Sequence, residues 1–186
     1  TEMHETLAID IDRRGVATLT FARPEKHNTL SAAMIAELTA AAVHLGEDPL
    51  VRVVVLAATG ASFCAGGDLQ WMRAQIAADD ATRRDAARAL AMMLRALDRM
   101  PKPLIGRVQG AAYGGGVGIL AVCDIAIGVA EAKFGLTETR LGLIPATISP
   151  YVIARIGVAA ARRHMLGARL FDAGEALRIG LLGEVV

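Results

Sequence analysis

Residues 62–68 of the chain read SFCAGGD, and residues 110–116 read GAAYGGG. Each stretch follows an apolar run typical of a buried strand, at residues 51–57 and 104–108, and each precedes a helical pattern. Glycine lets a ligand approach the backbone closely, and the start of a helix leaves N–H groups unpaired. Two such turns could direct two N–H donors at one oxygen, as the stabilisation of an oxyanion requires. The same glycines would also suit ordinary tight turns between a strand and a helix.

Strand patterns alternate with helical patterns along the rest of the chain. A hairpin is predicted at residues 7–12 and 16–21. Helices are predicted at residues 31–45, from residue 69, at 82–100 and at 117–123, and further strands at 51–57, 104–108 and 125–129. Residues 148–182 are predicted to form short helices broken at Gly157, Gly167 and Gly174. Such alternation predicts an α/β fold with a mainly parallel sheet, in a single domain over residues 1–186.

Composition and charge exclude several classes of partner. The 186 residues are 54% hydrophobic, which excludes a disordered chain, and 20 basic against 19 acidic residues give a net charge of +1. That charge predicts binding to neither nucleic acid nor an anionic membrane. The most apolar window, residues 104–130, is interrupted by an arginine and an aspartate and is unsuited to spanning a membrane. Residues 1–12 lack the apolar centre of a signal peptide, and Cys64 and Cys123 favour buried free thiols, so a cytoplasmic protein is expected.

The motifs, taken in order, resemble those of the enoyl-CoA hydratase/isomerase (crotonase) superfamily from about residue 7 to residue 186. Besides the two glycine-rich turns, the matching stretches are RPEKHNTL at residues 23–30, KP at 102–103, CDI at 123–125, KFGLTE at 133–138 and LGLIP at 141–145. Two further stretches, GGGVGI at 114–119 and PATISPY at 145–151, most resemble bacterial methylglutaconyl-CoA hydratases of leucine breakdown.

The resemblance implies a spiral of ββα units that binds an acyl-CoA thioester. It assigns the two oxyanion donors to the backbone N–H groups of Gly67 and Gly115. The residues that it implies as contacts for the CoA thioester are Ala65, Gly67, Asp68, Leu69, Gln70 and Gly115. Lys26 could contact a CoA phosphate or could equally be a solvated surface lysine. No metal and no separate cofactor is expected, because coenzyme A is part of the substrate.

Acid–base chemistry needs a carboxylate, and family hydratases use two glutamates. The second of these maps onto Glu138, whose pKa should be raised by an apolar pocket, whereas the first maps onto Gly118. If a second carboxylate is what hydration lacks, Gly118→Glu should accelerate it, provided that the pocket has room. Arg140 could attract a substrate carboxylate or form a surface ion pair, and Arg83 is expected to be solvated.

Three functions remain open at this point. The match to methylglutaconyl-CoA hydratases favours a hydratase that adds water across the double bond of an enoyl-CoA. A double-bond isomerase needs only one carboxylate, and a non-catalytic acyl-CoA-binding protein needs none. Family chains continue past the position of Val186 with a helical segment that helps to build trimers. The sequence given lacks that segment, so exposed apolar side chains over residues 148–166 and a homotrimer or hexamer are expected.

Overall fold

The computed structural model describes residues 2–186, which form an α/β fold with two mixed, mostly parallel sheets. The strands are β1 (Glu2–Met3), β2 (Leu7–Ile11), β3 (Val16–Phe21), β4 (Val53–Ala58), β5 (Ser62–Cys64), β6 (Leu104–Val108), β7 (Ala111–Tyr113), β8 (Ile125–Gly128), β9 (Lys133–Gly135), β10 (Phe171–Asp172) and β11 (Glu184–Val185). The helices are α1 (Ala32–Glu47), α2 (Leu69–Ala77), α3 (Asp80–Asp98), α4 (Gly115–Ala121), α5 (Ser149–Gly167) and α6 (Ala173–Arg178), with 3₁₀ turns at Pro24–Lys26 and Glu138–Leu141.

The larger sheet has the strand order β1-β2-β3-β4-β6-β8-β11. The strands from β3 to β11 are parallel, and β1, β2 and β3 pair antiparallel at one edge. The predicted hairpin is therefore confirmed, with Leu7 opposite Phe21 in register. Its turn is fixed by Asp12, whose carboxylate accepts hydrogen bonds from the backbone N–H groups of Arg14 and Val16.

The smaller sheet has the order β10-β9-β7-β5 and contains parts of both glycine-rich stretches. β5 and β7 pair in parallel, and β7 pairs in parallel with β9. Both stretches were expected to be turns, so these three-residue strands correct the prediction. Strands this short carry no alternation that a pattern can detect, because their pairing depends on the neighbouring backbone. With them, the chain repeats the unit strand–short strand–helix, as the expected spiral of ββα units requires.

The C-terminal third confirms two of the three predicted breaks. Helix α5 is kinked at Gly157, which has φ 77° and ψ 161°, and it ends at Gly167. The predicted break at Gly174 is wrong, because this glycine lies in the first turn of α6. There the Asp172 carboxylate accepts a hydrogen bond from the Glu175 N–H and caps the helix start, so the helix forms in spite of the glycine.

The apolar core lies between the sheets and the helices, and it includes part of the surface expected to be exposed. Ile148, Val152 and Ile156 are buried in it, whereas Val158 and Leu166 are 61% and 71% exposed.

Cys64 and Cys123 are buried free thiols, and burial raises the pKa of each to about 12. Over residues 2–186, no helix has the length and apolarity that a transmembrane span requires.

Candidate active site

The two glycine-rich stretches are packed backbone against backbone. A Cβ added to Gly116 would lie 2.3 Å from the carbonyl oxygen of Cys64, and one added to Gly110 would lie 2.0 Å from that of Ala61. Both distances are far inside van der Waals contact, so only glycine permits the approach. Gly114 adopts φ 49°, a conformation that residues with side chains rarely take. These glycines bring the starts of α2 and α4 together.

The early loop at residues 23–30 holds the first turn in place. The backbone N–H of Leu30 donates to Gly66 O at 2.8 Å, and the N–H of Asp68 donates to Leu30 O at 3.0 Å. Asn28 is fully buried, and its side-chain amide donates to the carbonyl oxygens of Thr59 and Ser62, both at 2.9 Å. The resemblance drew attention to Lys26 in this loop, but the residue with the structural role is Asn28.

The two expected oxyanion donors lie on the wall of the same cavity. Gly67 follows β5 in the first turn, and Gly115 is the first residue of α4. In the hydrogen bonding of residues 2–186, neither backbone N–H donates to a protein acceptor. Both donors are therefore free to bind an oxygen atom of a ligand in the cavity.

Glu138 lines this cavity too, at the start of the 3₁₀ turn Glu138–Leu141. Its Oε1 atom lies 3.0 Å from where a Cβ on Gly114 would be, so the carboxylate is close to the second glycine-rich turn. Its Oε2 atom is buried and has no hydrogen-bond partner among the described residues. Burial raises the pKa of Glu138, and a hydrogen bond from its own backbone N–H opposes the shift only in part. The raised pKa agrees with the expectation from the sequence.

The cavity has a volume of about 550 Å³ and a mostly apolar wall. Besides Gly67, Gly115 and Glu138, the lining residues are Leu30, Trp71, Met72, Gln75 and Ile76, then Arg83, Ala86, Ala87 and Leu90, and then residues 143–148. The volume lies in the range typical of sites for small molecules. An apolar wall with free N–H donors and one buried carboxylate suits an acyl chain that ends in a carbonyl group.

The position where family hydratases have their first glutamate is filled by a neighbouring side chain. A Cβ added to Gly118 would lie 2.4 Å from Cγ2 of Ile148 and 2.8 Å from its Cβ. Both residues are buried, so a glutamate at position 118 has no room. The expectation that Gly118→Glu would accelerate hydration depended on such room, and the structure does not provide it.

The other expected substrate contacts lie outside the cavity wall. Lys26, Leu69 and Gln70 are exposed, and Ala65 is half-buried. Asp68 is buried and caps α2, accepting hydrogen bonds from the backbone N–H groups of Gln70 and Trp71. Burial favours a higher pKa for Asp68, but these hydrogen bonds and the charge of Arg23 together hold its pKa below the ordinary value.

Several residues of the cavity wall were not predicted from the sequence. Trp71 and Gln75 on α2 and Arg83 on α3 line the cavity. Arg83 is exposed, as expected, and it was not predicted to line a cavity as well. Arg140 is exposed and does not line it. No local pattern in the sequence marks Arg83 as a lining residue, because its place on the wall depends on how α3 packs after α2. No group of three or more His, Cys, Asp or Glu side chains within residues 2–186 could hold a metal ion.

Known proteins match the chain along nearly its whole length. Residues 12–186 match the family model for enoyl-CoA hydratase/isomerase. The enoyl-CoA hydratase AKT6-1 of Alternaria alternata is 35% identical over 94% of this chain and 57% of its own length. The (E)-benzylidenesuccinyl-CoA hydratase of Thauera aromatica is 36% identical over 92% of this chain and 66% of its own. The chain thus spans less than two thirds of both relatives.

A solved structure agrees with these sequence matches. The crystal structure of an enoyl-CoA hydratase from Shewanella pealeana superposes with a TM-score of 0.95 at 41% identity, covering 98% of this chain and 68% of that one.

Proposed function

The chain belongs to the enoyl-CoA hydratase/isomerase family, and on that basis we propose that it adds water across the α,β double bond of an enoyl-CoA thioester. The observation that carries the proposal is the meeting of Gly67, Gly115 and Glu138 on one apolar cavity. Within the family, the GGGVGI and PATISPY stretches support an acyl group like methylglutaconyl.

The two glycines bind the thioester carbonyl. Its oxygen accepts hydrogen bonds from the free N–H groups of Gly67 and Gly115. These donors stabilise charge that develops on the oxygen when the thioester becomes an enolate, and they need no reorganisation to do so. The CoA moiety lies outside the cavity, near Ala65, Leu69, Gln70 and Lys26 around the first turn.

Glu138 moves the proton in both halves of the reaction. Its carboxylate takes a proton from the attacking water while the water oxygen bonds to the β-carbon. The π electrons then form the enolate, whose oxygen is held by the two N–H groups. Glu138, now protonated, returns its proton to the α-carbon, and the enolate collapses to the thioester. The net change is one water added across one double bond, with Glu138 restored.

A double-bond isomerase is the second candidate, and the contact between Gly118 and Ile148 favours it. With position 118 closed to a carboxylate, Glu138 is the acid on the cavity wall in the described part of the chain. One carboxylate can remove the α-proton of a 3-enoyl-CoA and return it to the γ-carbon of the resulting dienolate, whose oxygen the same two N–H groups would hold.

An absorbance assay with CoA thioesters tests the proposal. Loss of the enoyl-thioester absorbance band with 2-enoyl substrates is the expected result and indicates hydration. If the band grows from 3-enoyl substrates instead, the protein is an isomerase. Binding of acyl-CoA without either change would replace both proposals with a non-catalytic acyl-CoA-binding protein.

A further inference from the structure

We propose that Arg83 binds a carboxylate at the distal end of the acyl chain, so that the cavity selects thioesters whose acyl group carries a second, free carboxyl group. This inference rests on the proposed function, since it concerns the far end of the same substrate. It assigns to Arg83, which lines the cavity, the role that the sequence suggested for Arg140, which does not.

The charges on the cavity wall point to an anionic ligand group. Within the described chain, the lining contains one cation, Arg83, and one acid, Glu138, and most of the remaining lining is aliphatic. A purely apolar acyl chain would offer the guanidinium no hydrogen-bond acceptor in addition to its surface partner Asp80. A carboxylate supplies both charge and hydrogen-bond acceptors, so it fits this wall better than a methyl group.

The position of Arg83 identifies which end of the substrate it meets. Helix α2 starts two residues after Gly67 and extends for nine residues, or about 13 Å. Two residues separate α2 from α3, which has Arg83 in its first turn. Along the chain, the whole of α2 therefore separates Arg83 from the oxyanion turn. Since the thioester carbonyl is bound at that turn, a group at Arg83 belongs to the distal end of the acyl chain.

The guanidinium of Arg83 has donors to spare. It forms a surface ion pair with Asp80, one turn earlier in the helix, and its side chain is 47% exposed. A guanidinium has five N–H donors in a planar fork, so this pair leaves several of them free for a carboxylate. Exposed ion pairs contribute little to stability, so rearrangement towards a ligand costs little.

Gln75 supplies a second polar group on the α2 side of the same cavity. Its Oε1 atom is buried and, among the described residues, without a hydrogen-bond partner. A half-turn of the terminal amide exchanges Oε1 for Nε2, which donates to a carboxylate. A ligand carboxylate would then remove the cost of an unpaired buried polar group.

Binding of two saturated CoA thioesters separates the effect of a terminal negative charge from the effect of acyl-chain length. Glutaryl-CoA and pentanoyl-CoA have five-carbon acyl groups, differ in the terminal carboxylate, and cannot be hydrated. Calorimetry should show tighter binding of glutaryl-CoA to the unaltered protein. Arg83→Gln should weaken that binding by about 10–100-fold and leave pentanoyl-CoA unchanged, since a hydrogen bond to a charged group contributes about 1.5–3 kcal/mol. Arg84→Gln, which removes an adjacent exposed arginine outside the cavity wall, should change neither affinity.

Turnover of the matching 2-enoyl thioesters shows whether a negative result contradicts the inference about Arg83 alone or the proposed function as well. The inference is overturned if the unaltered protein binds both saturated thioesters equally, or if Arg83→Gln weakens both alike. The proposed function survives either result as long as 2-pentenoyl-CoA or glutaconyl-CoA is hydrated. If neither saturated thioester binds and neither enoyl thioester is consumed, the proposed function fails, and the inference fails with it.

Discussion

Single atoms decide how closely the backbone segments of the site approach one another. The carbonyl oxygen of Cys64 leaves no space for a Cβ on Gly116, and Cγ2 of Ile148 leaves none on Gly118. The first contact brings the two oxyanion turns together. The second closes the place where family hydratases have another glutamate, so in the proposed reaction Glu138 acts without a second carboxylate there.

The contact between Gly118 and Ile148 predicts how substitutions at the two positions combine. Gly118→Ala places a methyl group 2.4 Å from Ile148 Cγ2 and should lower the free energy of unfolding by about 1–3 kcal/mol. Ile148→Ala removes Cγ2, so the double variant should lose less stability than the sum of the single variants. Urea unfolding of the four proteins measures this. Strictly additive losses would mean that the contact does not exist in solution.

Two substitutions of Gly115 separate the effect of losing an N–H donor from the effect of adding a side chain. As the first residue of α4 it accepts proline without loss of a helical hydrogen bond. Gly115→Pro should reduce turnover by about 10²–10³-fold, the usual effect of losing one oxyanion donor. Gly115→Ala adds a Cβ next to Leu30 but keeps the N–H, and it should retain much more activity. Equal rates for the two variants would argue against this oxyanion donor.

At the scale of elements, the site is built where helices begin. Helix α2 starts directly after Gly67 with Asp68 as its cap, and α4 starts at Gly115. Asp68 thus ends the first glycine-rich turn and also caps α2, a helix that contributes to the cavity wall.

Loss of the α2 cap should affect both stability and turnover. Asp68→Ala removes the acceptor for two backbone N–H groups and should cost about 1 kcal/mol of unfolding free energy, with a fall in turnover as Gly67 shifts. Ser31→Ala removes the α1 cap, which lies outside the cavity wall, and should cost a similar amount without affecting turnover. Thermal unfolding and initial rates check this. Equal turnover in the two variants would show that the Asp68 cap has no effect on the active site.

Long elements could be predicted from the sequence, and short or contact-dependent ones could not. Apolar periodicity predicted α1 and β6 because their buried faces repeat over several residues. β5 and β7 have three residues each, and their pairing is set by backbone that approaches from elsewhere in the chain. The expected oxyanion pair and Glu138 lie on one cavity wall. Arg83 was missed because its place on that wall depends on how α3 packs after α2, which no local pattern records.

At the scale of the whole molecule, α5 divides into a buried and an exposed face. Val152 and Ile156 belong to the core, whereas Val158 and Leu166 are exposed after the kink at Gly157. An exposed apolar face of this kind favours association of copies. The trimer or hexamer expected from the resemblance therefore remains a prediction that this face supports.

Association through this face can be tested with charge substitutions. The chain should form an oligomer in sedimentation velocity runs, and Val158→Glu with Leu166→Glu should shift it to a smaller species. Leu50→Glu is the matched control, since Leu50 is 75% exposed but lies outside this helix, and it should leave the mass unchanged. A monomer at high concentration for the unaltered protein would refute the prediction.

The pKa of Glu138 connects the fold to the pH dependence of the reaction. Burial raises this pKa, so the folded protein binds the proton more tightly than the unfolded chain does. Its stability should therefore decrease as the pH rises from the ordinary glutamate range through the raised pKa, and Glu138→Gln should remove that decrease. The proposed hydration requires the ionised carboxylate of Glu138, so its rate should rise with pH over the same window.

The most direct test of the catalytic role is turnover by Glu138→Gln, measured beside acyl-CoA binding. Glutamine keeps the shape of the side chain but cannot accept and return a proton. The rate on a 2-enoyl-CoA should fall by about 10²–10⁴-fold, and binding of a saturated acyl-CoA should stay close to that of the unaltered protein, because Gly67 and Gly115 bind the thioester. A Glu138→Gln protein that binds acyl-CoA and turns over the enoyl thioester at the unaltered rate would contradict the account.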